Sequence, residues 1–218
     1  MSAPMFMSVE ELPPRPDPNT GEPRPPVAPE FRQGKLAEKS RDADQVNVPS
    51  AKPSPPPGQG PVLVWYRPGR HKQVTTGLTT FFILVIGLTV IRGFDPSWIA
   101  YWPPWVVLVA VTLLMAWLVS TSACSVGADW LKVSRRSWVR LYDLTYIETA
   151  RHNTELYVEF KDRDGRHFDT KLEDLQQDRG MWDLIYNGIL HSIIAGGAES
   201  TRVHNMLKVP YPHSMKEQ

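Results

Sequence analysis

The chain of 218 residues is short of several things, and each shortage removes a class of function. It has one cysteine, Cys124, so an intramolecular disulfide is excluded. It has no charge of predominant sign: 24 Lys+Arg stand against 23 Asp+Glu, which gives no overall electrostatic reason to expect nucleic acid as a partner. Its six histidines, His71, His152, His167, His191, His204 and His213, lack metal-ligand spacing, so no metal or other cofactor is expected. His191 reads as a boundary residue beside an apolar helix stripe. There is no phosphate-binding Gly-rich loop followed by Lys and Ser/Thr, and no nucleophile elbow. The acidic residues from Asp162 to Asp178 lack the spacing of a calcium-binding loop. No catalytic residues are nominated, and the chain is read as non-enzymatic.

Charge is also missing from two long stretches. Val74 to Ile91 carries none, and a second uncharged run begins at Trp105. About 18 helical residues span roughly 27 Å, close to the hydrocarbon thickness of a bilayer. The expectation is a transmembrane helical hairpin over 74–124, with spans at 74–91 and 105–124. No ionisable residue lies inside either run, which argues for an anchor rather than an ion path. The first run starts too far along the chain for a secretory signal peptide. Arg67, Arg70 and Lys72 precede the hairpin, and Lys132, Arg135, Arg136 and Arg140 follow it, while the connection holds only Arg92, offset by Asp95. Short cationic flanks stay on the cytoplasmic side, so both termini are expected there, in a multi-pass protein of an inner (plasma) membrane. The connection carries Phe94, Trp98, Tyr101, Trp102 and Trp105, of which Trp98, Tyr101, Trp102 and Trp105 are assigned to the membrane interface. Segment 62–73 is read as a basic juxtamembrane piece.

What the chain has in excess is proline: 21 residues, 15 of them before Val62. PPRPDP, PRPPVAP and SPPPGQGP offer little apolar surface to offset ordering, so residues 1–61 are expected to be a disordered Pro-rich arm with local polyproline II character. Such an arm suits a tether or a docking ligand for a proline-recognising partner.

After the hairpin the hydrophobic period changes. Trp130 to Ser134 and Trp138 to Leu141 read as short strands, and Leu144, Tyr146 and Ile147 continue through a bulge. Glu155 to Lys161 alternates, with Leu156, Val158 and Phe160 on one face. Asp162-Arg163-Asp164-Gly165 is a turn, and Phe168, Thr170 and Leu172 share a face on the return, which makes a β-hairpin. A helix follows, its regular part beginning near Gly180 and ending at Gly196-Gly197. Trp182, Ile185, Tyr186, Ile189, Leu190, Ile193 and Ile194 form one apolar stripe, and Gly188 is awkward inside it. Residues 198–218 are expected to be a flexible tail.

A membrane hairpin, then Ala128 to Val133, then Val139 to Glu148, then an amphipathic helix resembles bacterial membrane proteins carrying a pleckstrin-homology-like (PH-like) domain. The resemblance covers roughly residues 74 to 196 and implies a cytoplasmic PH-like domain over 126–197, with Leu144 and Ile147 pointing into its barrel. About 70 residues provide four or five strands where a full barrel has seven. The barrel is therefore incomplete, open, or completed by the Val62-to-Tyr66 strand or another subunit. The fold class is α+β: a transmembrane helical hairpin plus a small antiparallel sheet or partial barrel capped by a C-terminal amphipathic helix. Lys132, Arg135, Arg136 and Arg140 are the candidate residues for anionic lipid headgroups, each worth on the order of 1 kcal/mol near a charged leaflet. The same charges also serve simply to set topology. The function expected is an inner-membrane anchor or scaffold whose partners are the bilayer, anionic lipids, and a protein or a second copy. The alternative is an accessory subunit of a secretion, conjugation or transport complex.

Overall fold

A computed structural model describes residues 6–29, 52–66, 70–121, 124–134, 137–153 and 155–213. The chain divides into two compact units, Arg67–Ala123 and the combination of Met1–Tyr66 with Cys124–Gln218.

The inserted unit holds two helices, α1 (Arg70–Ile91) and α2 (Trp102–Thr121), with a short 3-10 turn, Pro96–Ala100, between them. They start earlier than the apolar runs because Arg70 to Gln73 and Trp102 to Pro104 extend the helices into polar or aromatic sequence. Pro103 and Pro104 fall in the first turn of α2, where a missing N–H costs nothing. The second helix ends before residue 124, and Cys124 opens a strand instead. The two helices pack closely where Gly77 faces Thr112 and Ala116; a Cβ at Gly77 would lie 3.7 Å from each. Phe81 lies beside Trp105 with ring centroids 6.4 Å apart. Contacts that step forward on α1 and backward on α2 make the pair antiparallel. Of the two expected spans, only Val74–Ile91 is long and apolar enough to cross a membrane among the described residues. Its mean hydropathy is 2.2 and 6% of it is buried. In α2 the apolar stretch is the shorter Trp102–Leu118.

The other unit is mixed α+β. One four-stranded sheet runs in the order β2 (Val64–Tyr66), β3 (Cys124–Val126), β4 (Trp130–Lys132), β5 (Trp138–Arg140), all antiparallel. The second contains β6 (Leu144–His152), β7 (Glu155–Asp162) and β8 (His167–Lys171), also antiparallel, with β9 (Glu199–Thr201) added parallel to β6. The strand before the inserted unit therefore pairs with the strand after it. Tyr66 faces Cys124 across β2 and β3, so the chain leaves and re-enters at adjacent points. A register shift between Leu144 and Tyr146 lets Leu144 and Ile147 both turn inward, although three positions apart; they are 3% and 0% exposed. The β7–β8 hairpin turns at Gly165, whose φ of +79° a side chain would strain.

After the short helix α3 (Leu172–Leu175), helix α4 (Arg179–Ile194) closes the core. Asp178 caps it by accepting from the Met181 N–H at 2.9 Å. Ile185, Ile189 and Met181 are wholly buried with Leu141, Ile147, Val158 and Phe160. Gly188 is required by close approach: a Cβ there would lie 2.5 Å from Leu141 Cβ.

Two expectations are corrected by the termini. Described residues of the head are not a free arm, since Pro16, Gly21, Ala28, Pro56 and Val62 are buried. Residues 1–5 and 30–51 of the expected arm, and 214–218 of the expected tail, lie outside the described residues. The segment expected to be a flexible tail forms β9, helix α5 (Val203–Leu207) and β10 (Tyr211–Pro212), with Val203 and Leu207 in the core. Strand β10 pairs in parallel with β1 (Phe6–Met7), so the first and last described strands are neighbours. Proline composition indicates few local hydrogen bonds; it does not reveal partners far along the chain.

Candidate functional site

Proline-rich backbone has few N–H groups and an excess of carbonyls. A surface that holds it must supply donors, and the strand-rich unit does so from side chains on α4. Trp182 Nε1–H donates to the Pro29 carbonyl at 2.8 Å, an Asn187 Nδ2–H to the Pro14 carbonyl at 3.3 Å, and His191 Nε2–H to the Pro13 carbonyl at 2.7 Å. The head runs antiparallel to the helix, with Pro13 near its C-terminal end and Pro29 near its start. Asp183 adds one reverse contact, accepting from the Ala28 N–H at 2.8 Å.

The helix side of this groove is fixed from behind. Ser192 Oγ donates to the Leu141 carbonyl at 2.8 Å and accepts from the Leu144 N–H at 3.3 Å. That fastens α4 to the turn carrying Tyr142, whose hydroxyl accepts the other Asn187 N–H at 2.9 Å. Asn187 is 2% exposed, and its Oδ1 has no hydrogen-bond partner among the described residues. The amide thus directs both hydrogens to useful acceptors and leaves its own acceptor unused. Arg15 completes the arrangement. Its guanidinium lies 5.0 Å from the centroid of the Tyr142 ring, and its Nε–H donates to His191 Nδ1 at 3.3 Å. Because a carbonyl can only accept and a guanidinium only donates, His191 must be neutral with its hydrogen on Nε2. Burial, the largest influence, lowers its pKa, the Pro13 carbonyl opposes that, and Arg15 lowers it further. Burial also pushes Tyr142 and Tyr186 up to about 12.

The opposite sheet receives the other proline-rich stretch similarly. Trp130 Nε1–H donates to the Gly60 carbonyl at 3.1 Å, and Lys132 Nζ to the Ser54 carbonyl at 3.0 Å. Lys132 is therefore engaged by the head. Arg140, a second headgroup candidate, sits 3.7 Å from Asp143 and 4.0 Å from Asp164, which offset its charge. Arg135 and Arg136 lie outside the described residues. Lys132 and Arg140 are the members of the basic group among the described residues, and they stand on the neighbouring strands β4 and β5. Of the interface aromatics, Tyr101 and Trp102 are exposed. Trp105 is half-buried and donates from Nε1 to the Ile99 carbonyl at 3.0 Å. The side chain of Trp98 lies outside the described residues.

Four further features lie apart from the α4 groove. Buried Asp162 accepts from the N–H groups of Arg140, Asp164 and Arg166 and from Arg166 Nε at 2.7 Å, which fixes the β5–β7 corner. Glu148, Glu159 and Asp169 stand opposite one another across β6, β7 and β8 and line an open depression of about 370 Å³. Ser200 and His204 are 2.9 Å apart, with His204 Nδ1 on the Val209 carbonyl and Tyr211 stacked 4.0 Å above the ring. That serine–histidine contact escaped the sequence reading; it ties β9 to α5, and neither it nor Asp162 lines the carboxylate depression. Cys124 is buried, which pushes its thiol up to about 12 and makes it unreactive.

No family model, curated protein or solved structure matches this chain. The α4 groove was also missed by the sequence reading. Its one available signal was Asn187 and His191, two polar residues four apart in a helix otherwise rich in apolar side chains.

Proposed function

We propose that this protein is a non-enzymatic anchor or scaffold of an inner (plasma) membrane. In this reading α1 and α2 cross the bilayer, both termini are cytoplasmic, and the strand-rich unit is a PH-like domain offered to a protein partner. One observation carries it: an apolar helix pair is inserted between the paired strand ends Tyr66 and Cys124. Its α1 leaves Leu78, Phe82, Ile83 and Ile86 more than half exposed. A contiguous surface of that kind is poorly suited to water and well suited to lipid. Support for the PH-like reading comes from the run of seven antiparallel strands, β2–β5 then β6–β8, followed by α4. The parallel strand β9 comes after that run.

Protein is favoured over anionic lipid as the partner. Lys132 and Arg140 already have partners, and the Glu148–Glu159–Asp169 row repels a negative leaflet. The same row suits a cationic protein surface, which keeps the reading of an accessory subunit of a secretion, conjugation or transport complex as the second choice. The test is a pair of reporter fusions, one in the connection near Ser97 and one after the C-terminus, combined with alkaline extraction of membranes. The expected result is retention in the membrane fraction, a periplasmic signal at Ser97 and a cytoplasmic one at the C-terminus. Release by alkali, or both reporters on one side, would overturn it.

A further inference from the structure

We propose that the α4 groove bounded by Tyr142, Trp182, Asn187 and His191 is a recognition site for a proline-rich segment of a partner protein. Its ligand is of Pro-Pro-Arg-Pro type, and the chain's own Pro13-Pro14-Arg15-Pro16 holds the place until it is displaced. This goes beyond the anchoring role and does not depend on the membrane topology.

The groove has the chemistry that such a ligand requires. A polyproline II segment makes no internal hydrogen bonds, so its carbonyls point outward and unpaired. Each residue before a proline is held near the extended region, which pre-sets the shape before binding. Leu12 enters the segment at φ −65° and ψ 137°. Two side-chain donors, His191 Nε2–H and Asn187 Nδ2–H, meet two consecutive carbonyls, those of Pro13 and Pro14. Both donors are set by buried residues rather than by loops, and Tyr142 fixes the Asn187 amide from the far side. Specificity for arginine after the Pro-Pro step comes from the Tyr142 ring face and His191 Nδ1 acting together. A lysine has no planar fork to match that pair. Direction is also defined, because reversing the ligand would remove the arginine from Tyr142. The Trp182–Pro29 bond extends the site toward the start of α4.

The present occupant is held unevenly: Pro16 is buried and His191 holds the Pro13 carbonyl at 2.7 Å, while the middle of the segment is looser. Pro14 and Arg15 are exposed, and the Asn187 and Arg15 bonds, at 3.3 Å, are long. What also favours it is covalent attachment, which raises its local concentration above that of a separate segment. A partner segment of higher affinity, or one itself brought close, replaces it.

The experiment uses the full chain in detergent micelles and a fluorescein-labelled peptide of residues 8–18, read by anisotropy. Wild type, with its groove filled, is expected to bind the peptide weakly. A variant with Pro13→Gly, Pro14→Gly and Arg15→Ala is expected to bind it about tenfold more tightly, since the internal competitor is impaired. Arg15→Ala alone, at an exposed position compatible with folding, gives a smaller gain of the same sign. Adding Asn187→Ala to either variant abolishes the gain, and a peptide with alanine for Arg15 binds less tightly than the parent. Equal affinity for wild type and both head variants would overturn the proposal. So would a gain that survives Asn187→Ala.

Discussion

His191 shows how one side chain can depend on residues far away in the sequence. Its ring bridges Pro13, 178 positions distant, and Arg15, 176 positions distant. Only the neutral ring can do both, donating from Nε2 and accepting at Nδ1, whereas a protonated ring has no acceptor for Arg15. The groups facing it are Arg15, Tyr142 and Asn187, and none is an acid that would stabilise the cation. Folding therefore holds its pKa below the ordinary 6.5. The sign follows directly: between the lowered folded value and 6.5 the unfolded chain binds more protons, so stability rises with pH there. The contribution is complete above 6.5 and is lost as pH falls through the folded value. Thermal midpoints between about pH 7.5 and about pH 5 should fall more steeply for wild type than for His191→Gln, which keeps a donor but does not titrate. Parallel curves would show that the ring does not couple to folding.

At the scale of elements, α4 is the piece on which the strand-rich unit is assembled. A helix buried on one stripe needs only a sheet beneath it, but α4 is buried from Trp182 to Ile194 with the sole exception of Asp183. The sheets cover one side, and the head and the C-terminal segment cover the other. Gly188 is the point of closest approach. In an exposed helix Gly→Ala would gain about 1 kcal/mol of propensity. Here the added Cβ meets Leu141 Cβ at 2.5 Å and the Leu141 carbonyl oxygen at 3.1 Å, and backbone cannot turn aside. Overpacking costs roughly 1–3 kcal/mol and wins. Gly188→Ala should therefore lower stability by about 1–2 kcal/mol in denaturant titration. A stabilised variant would mean that the helix lies farther from the β5–β6 turn.

At the scale of the whole molecule, the strand-rich unit is built from pieces that the sequence separates. Strand β2 precedes the inserted helices and β3 follows them; β1 pairs with β10 near the other end. The head lies along α4 through carbonyls and buried Pro16 and Ala28. Deleting residues 1–29 should therefore lower the thermal midpoint and increase acrylamide quenching of tryptophan, because Trp182 loses its cover. An unchanged midpoint would restore the picture of a free arm. The paired ends of β2 and β3 give the inserted helices an exit and a return at one place, which is why an insertion of such length leaves the sheet intact.

Local pattern determined much of this protein. Hydropathy located both helices of the inserted unit, alternation located β4 to β8, the Asp162–Gly165 turn defined their hairpin, and the apolar stripe located α4. Each depends on a period that neighbours along the chain reveal. Tertiary structure decided the rest, because those choices rest on partners distant in sequence. It selected Val64–Tyr66 as an added strand and turned Glu199–Thr201 parallel to β6. It also changed the meaning of the prolines. Read locally, they lack donors and core-forming side chains and suggest an arm. In the fold, their carbonyls are acceptors for Trp182, Asn187 and His191, and only the folded chain brings those donors to them.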